Sequence, residues 1–290
     1  MNFWHWSVYR MKLYVRDILS FLYFPVVLLS ELFTSARKRG LRILVYHSIQ
    51  EIDPQTDTLR MSVSPGLFEK QIKCLISWGY KVVTLDDAVS LLAGKGKVYG
   101  NEIVLTFDDG FEDNSTEALG LLKSHGLKAV FFLIANGLNG NRELPEMRAL
   151  ESTYGRHMDQ KSACKLINEQ MTVGSHTLNH KNLGRDNLSQ KLLQEEIRLS
   201  KQKLENLLNT PVKYFAYPFG CKGSFNKITE EEVRKSGYAA ACTNIFGTNR
   251  KGENPFTLKR TRITWNDTPL KFRIKLKGAY DWVDRLQARV

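Results

Sequence analysis

Cysteine is sparse in this chain of 290 residues: four thiols, Cys74, Cys164, Cys221 and Cys242, with no CxxC pair. That scatter excludes a disulfide framework or a cysteine zinc cluster and favours a reducing compartment. Low-complexity segments and internal repeats are missing. No apolar run reaches the roughly 18 residues of a confident membrane span. No small-residue cleavage site follows the apolar stretch near the N-terminus, which speaks against a removed signal peptide. No recognised nucleic-acid module is present, so nucleic acid is not expected as a partner. Histidine is limited to six residues, none beyond His180.

What is there suits a sizeable globular unit. Hydrophobic residues make up 42% of the chain, and the length favours one large domain over two. The net charge of +12 fits a generally basic surface, or affinity for an anionic membrane or phosphate-bearing substrate. Residues 1–40 stand apart. Ile18 to Leu29 is apolar except for Ser20 and contains Pro25. Arg10, Lys12 and Arg16 precede it, and Arg37, Lys38 and Arg39 follow. Charge on both flanks resolves no orientation. The pattern fits a helix that enters one leaflet, bends at Pro25 and returns. A helix packed on the domain is the competing reading.

From Arg42 onward, short apolar runs alternate with helical stretches. Strands are expected at Ile43–His47, Lys81–Leu85, Ile103–Phe107, Ala129–Ile134, Met171–Ser175, Val212–Tyr217, Tyr238–Thr243 and Leu258–Thr264. Helices are expected from Ser64-Pro65 toward Trp78, from Asp86 as cap through Leu92, and over Asn114–His125 and Leu188–Leu208. Another spans Thr229–Lys235, with Thr229 and Glu232 spaced as a capping box, and a basic helix starts at Thr268. Asn136 to Arg156 reads as a long connection suited to substrate contacts. The alternation predicts an α/β fold with a mainly parallel sheet.

Two motifs carry chemistry. Leu105-Thr106-Phe107-Asp108-Asp109-Gly110 ends a buried strand on two carboxylates, and His176-Thr177-Leu178-Asn179-His180 follows another strand. On one helical turn, both imidazoles would point the same way. Consecutive Asp residues on a strand face opposite ways, so both reach one site only if the chain bends at Gly110. An Asp-Asp-Gly alone is commonly a turn, and a His pair alone is commonly a polar helix start. Together, one carboxylate and two imidazoles make a three-ligand divalent metal site with an open position. The other carboxylate is left to act as a base, the arrangement of metal-assisted hydrolysis. These motifs and Tyr217-Pro218-Phe219 follow strand C-termini, where α/β barrels gather their catalytic groups.

Thr106 to Gly110, His176 to His180 and Phe215-Ala216-Tyr217-Pro218-Phe219-Gly220 resemble, in order, the first three motifs of the polysaccharide deacetylase family (carbohydrate esterase family four, nodulation-factor deacetylase-like). The resemblance runs from about Arg42 to Thr264. It implies a distorted (β/α) barrel with about seven parallel strands. It also implies removal of an N-acetyl group from an amino sugar, with Asp108 as general base. Asp109, His176 and His180 would then bind a divalent metal, usually zinc.

Two departures stand out. Where the third motif commonly opens with an Arg that braces the base, this chain has Ala216; Arg262 is the candidate substitute and a candidate substrate contact. The fifth motif's histidine acid is missing, and His47 is the candidate replacement. The Val-Tyr-His that contains it resembles a branch acting on exopolysaccharide and surface glycans. Tyr217, Pro218, Phe219 and Trp265 are further candidates for holding the sugar. His5, His125 and His157 read as surface residues.

The expectation is a membrane-associating helical segment over residues 1–40 and a deacetylase-like catalytic domain over 41–290. Its substrate would be a surface glycan or lipid-linked saccharide. A deformylase, an O-acetyl esterase and an inactive sugar-binding protein are the alternatives. The cytoplasmic face of a membrane is favoured over a periplasmic or extracellular one.

Overall fold

The computed structural model describes residues 14–27, 40–139, 145–184 and 188–282. Its centre is a curled parallel sheet. The strands are β1 (Arg42–Tyr46), β2 (Lys81–Val82), β3 (Glu102–Phe107), β4 (Val130–Leu133), β5 (Thr172–Ser175), β6 (Tyr214–Ala216), β7 (Ala240–Cys242) and β8 (Thr261–Arg262). β1, β3 and β4 are apolar-rich and buried along their whole length, as strands covered on both faces must be.

The sheet order is β7-β6-β5-β4-β3-β1-β8, with β2 pairing β3 off this path. β2 takes the start of β3 and β4 takes its end, in the pairs Lys81–Glu102 and Thr106–Val130. A parallel bridge from Cys242 in β7 to Leu258, just before β8, joins the two ends of the order. The result is the expected distorted (β/α) barrel with a seven-stranded path.

Alternation along the strands sorts side chains into two layers. Ile103, Leu105 and Phe107 lie in the layer between sheet and helices, with Leu44, Tyr46 and Phe215. Val104 lies in the inner cluster with Ile43, Phe132, Tyr214 and Ala216. Period two then carries Thr106 and Asp108 to the inner side.

The outer helices are α2 (Pro65–Ser77), α3 (Leu85–Leu92), α4 (Leu119–Ser124), α5 (Pro145–Tyr154), α6 (Gln160–Asn168), α7 (Gln190–Gln194), α8 (Ser200–Leu208), α9 (Lys227–Lys235) and α10 (Pro269–Leu276). A π-helical turn opens α4 at Asn114–Ala118, and another joins α7 to α8 at Glu195–Leu199.

Local capping chemistry moved several expected boundaries. Thr84, not Asp86, caps α3, because its hydroxyl and the Asp87 carboxylate satisfy each other's amides; the second strand therefore stops at Val82. Asn226 caps α9 and makes Thr229 the third residue of the helix rather than its cap. The connection expected from Asn136 to Arg156 contains α5.

Residues 14–27 form a further helix, α1, continuous through Pro25. Phe24 and Val27 pack against Ile274, Ala279 and Tyr280. No helix among the described residues is long and apolar enough to cross a membrane. Leu28, Leu29 and the flanking Arg10, Lys12, Arg37, Lys38 and Arg39 lie outside the described residues, as does His5.

Candidate metal centre and active site

Both carboxylates sit at the C-terminal rim, and they reach it differently. Asp108 arrives by strand alternation and is fully buried. Asp109 would face the helices, but its φ of +70° swings it back, and Gly110 at +73° continues the turn. A left-handed non-glycine residue is strained, and such strain gathers where function demands it. Thr177, His180 and Phe219 share this region, with φ of 66°, 58° and 62°.

The His-x-x-x-His segment is therefore a tight turn and not the expected turn of helix. Thr177 Oγ1 accepts from the His180 amide at 2.8 Å. The Glu196 carboxylate accepts from the Asn179 amide at 2.9 Å and from its side chain at 2.7 Å. The imidazoles still converge, their ring centres 5.0 Å apart.

His176 Nε2 and His180 Nε2 each lie 3.3 Å from Asp109 Oδ1. Among the described residues, this is the one cluster with metal-ligand spacing. The donor set fits a cation. His176 Nδ1 lies 2.8 Å from the Ala216 carbonyl. A carbonyl only accepts, so the proton is on Nδ1 and Nε2 presents a lone pair. That lone pair faces Asp109 Oδ1 at 3.3 Å, an arrangement that calls for a positive centre between them. Without one, the imidazoles hold Asp109 well below the usual carboxylate range against the upward push of burial. Burial pulls His176 down, but Asp108 and Asp109 outweigh it and raise its pKa.

Arg260 reaches Asp108 from outside any expected motif. Its Nη1 donates to Oδ1 at 2.7 Å and its Nη2 to Oδ2 at 2.5 Å, with both side chains wholly buried. Arg260 Nε donates to the Thr243 carbonyl at 2.7 Å, which ties the fork to the chain beyond β7. Burial favours a neutral Asp108, but the Arg260 charge overcomes it and keeps the carboxyl below its ordinary value. Arg262 does not brace Asp108. It donates to the Leu59 and Arg60 carbonyls on a neighbouring loop. The guanidinium missing at Ala216 is thus supplied two residues before Arg262.

His47 closes β1 and is buried. Its backbone carbonyl accepts from Asn114 Nδ2 at 2.7 Å, and its Nδ1 has no hydrogen-bond partner. Burial pushes its pKa down to about 4, against the opposing charges of Asp109 and Asp108.

His157, expected on the surface, is buried. It bridges Phe111, its ring stacks on Phe111 at 5.2 Å, and its Nδ1 lies 3.1 Å from Glu151. Burial lowers its pKa, and the charges of Asp109 and His180 act on it.

The aromatic candidates divide. Tyr217 belongs to the outer core, stacked on Phe225 and donating to the Phe256 carbonyl, so its ring cannot face a sugar. Pro218 is buried beside it. Phe219 is 50% exposed, with its ring 5.1 Å from His180. Trp265 is half-buried, Arg60 lies over its ring at 5.9 Å, and its indole N–H has no partner.

The sequence model of the polysaccharide deacetylase family matches residues 95–241, half of the chain. The chain belongs to the polysaccharide deacetylase family. Members are hydrolases of carbon–nitrogen bonds other than peptide bonds, and that is the enzyme class of this chain. A Bacillus subtilis (strain 168) protein named as a polysaccharide deacetylase, YxkH, is 27% identical over 224 residues, covering 77% of this chain and 71% of its own.

Among solved structures, the Streptococcus pyogenes deacetylase PplD, in complex with acetate, superposes with a TM-score of 0.69 at 23% identity. That match covers 82% of this chain and 98% of PplD. IcaB from Ammonifex degensii gives 0.69 at 24% identity, covering 84% of this chain and all of IcaB (100%). At these identities, the two structures show that the deacetylase fold is shared.

Proposed function

We propose that this deacetylase is metal-dependent and removes N-acetyl groups from an amino sugar in a surface glycan or a lipid-linked saccharide. The observation that carries the reading is one constellation: Asp109, His176 and His180 around a common point, with Asp108 beside them. Asp108 Oδ2 lies 4.0 Å from His176 Nε2. Asp109, His176 and His180 would hold the ion, zinc by preference. Such an ion supplies Lewis acidity toward a water and toward the amide carbonyl.

The chain's own residues do the rest. Asp108, kept ionised and aimed by Arg260, takes the proton of the attacking water. A backbone N–H at the Phe219 turn donates to the oxyanion that develops on the acetyl carbon. His47 gives a proton to the departing amine. It rests neutral at pH 7, so this proton is one gained during turnover, by way of Asp108. Acetate and a free amino sugar result. Phe219 and Trp265 offer ring faces to the sugar, and Arg262 lines the same rim.

Residues 1–40 would hold the enzyme at a membrane surface, with the cytoplasmic face favoured by the dispersed thiols. An inactive sugar-binding role is disfavoured, because base and ligands are all in place. The test is product analysis on N-acetylglucosamine oligomers and on membrane glycolipids. Acetate should appear in step with free amine, stop on chelation and return with zinc. Formate would make the enzyme a deformylase. Free hydroxyl in place of free amine would make it an O-acetyl esterase.

A further inference from the structure

Helix α1 is built inside out. The inward stripe, at residues 16, 17, 20, 24 and 27, holds all its charge. Asp17 takes Lys271 Nζ at 2.7 Å and the Tyr280 hydroxyl at 3.1 Å, and Arg16 pairs with Asp17 and lies over the Tyr280 ring at 5.5 Å. Ser20, fully buried, accepts from the Trp282 indole at 3.1 Å. The outward arc has no charge. Tyr14, Ile18, Leu19, Phe21, Leu22 and Val26 are exposed by 47–67%. A helix on a water-facing surface shows the opposite arrangement, and an apolar patch of this kind marks an interaction site.

The surrounding charge identifies the occupant. Residues 1–39 carry six basic and two acidic side chains and are rich in aromatics, including Trp4, Trp6 and Tyr9. Exposed Arg273 adds a cation on α10, the helix that carries α1. An apolar helix face flanked in the sequence by cations and aromatic residues suits the headgroup boundary of an anionic bilayer.

We infer that the outward face of α1 seats the barrel side-on against an anionic lipid surface, as a rigid part of the domain and not as a flexible tether. This rests on the membrane reading above. Asp17 grips α10 one turn in from its N-terminus, and α10 follows the rim loop that carries Trp265. From there the helix runs toward the other end of the barrel, where Phe24 and Val27 meet Ala279 and Tyr280 and Arg42 at the start of β1 holds Asp281 and the Leu276 carbonyl, so the seated barrel lies along the bilayer with the first turn of α1 toward the rim.

The test uses the full chain and vesicles of three parts phosphatidylcholine to one part phosphatidylglycerol. Wild type should sediment with them and less with phosphatidylcholine alone. Ile18→Asp/Leu22→Asp should weaken sedimentation by at least about tenfold, with its thermal midpoint unchanged. Leu22→Trp should add fluorescence that bromine-labelled lipid quenches. Equal sedimentation of wild type and the double variant, or no added quenching, would overturn the face while leaving membrane binding by another segment. No sedimentation of wild type would overturn both readings. A lipid-free dimer that the double variant splits would assign the face to a second copy and overturn the lipid.

Discussion

Among the described residues, two pairs of a carboxylate with an arginine or lysine are buried in the barrel, one at the rim that holds the candidate site and one behind it. Arg260–Asp108 and Lys275–Asp267 are similar in length, 2.5 and 2.6 Å, and both are almost wholly shielded from solvent. At the rim a planar fork meets both oxygens of one carboxylate and sets its direction. Behind it, Asp267 Oδ2 also collects the Thr264 amide at 2.7 Å, and Lys275 also donates to the Arg262 carbonyl at 2.8 Å. The second pair ties α10 to the loop that carries Trp265. Like chemistry serves two purposes: one pair orients the proposed base, the other pins backbone. Rate should follow the first and stability both.

The largest effect expected is for Asp108→Asn. Turnover should fall about 10²–10⁴-fold, while metal content by mass spectrometry stays at wild type. Unchanged turnover would reject Asp108 as base. Next is Arg260→Ala, which strands a buried carboxylate. It should cost about 3–5 kcal/mol in urea unfolding and slow turnover as well. Arg260→Lys should recover only part, because a point charge cannot hold both oxygens.

Lys275→Met should lower stability by about 3 kcal/mol and leave kcat near wild type. A fall in kcat matching that of Arg260→Ala would erase the distinction between the pairs. The smallest effect is a pH slope. Burial lowers Lys275 from 10.5 to about 8, so above that value the unfolded chain binds the proton more readily than the folded one. Its contribution to stability therefore rises with pH from about 8 to about 10.5 and is lost as pH falls through 8. Unfolding at about pH 7 and about pH 9.5 should show the slope in wild type and a flatter one in Lys275→Met.

What the sequence disclosed was local. Phe107-Asp108-Asp109-Gly110 and His176 to His180 announce themselves because their ligands are neighbours in the chain. The barrel was legible because apolar runs recur between helical stretches. Arg260 was hidden because its partner lies 152 residues away and only the β1–β3 and β1–β8 pairings bring them together. Lys259-Arg260-Thr261-Arg262 offers two arginines on one strand face, and period two cannot choose between them. His157 was missed because it reaches the rim by pairing with Phe111, a contact no motif encodes. Tyr217 was misread because one step along β6 moves a side chain from the interior to the helix layer.

The join at Leu258 carries a consequence for folding order. The Leu258 amide and carbonyl bond to Ala241 and Thr243, and the Arg260 amide bonds to Ile245, so the guanidinium hangs from the closing stitch of the ring. That stitch joins near neighbours in the chain, and β8 must in addition dock beside β1, the first described strand, for the guanidinium to meet Asp108. Until it does, Asp108 lacks its Arg260 partner, and a chain caught short of closure would not hold the proposed base in place. Closure of the barrel should therefore be the step that completes the proposed site.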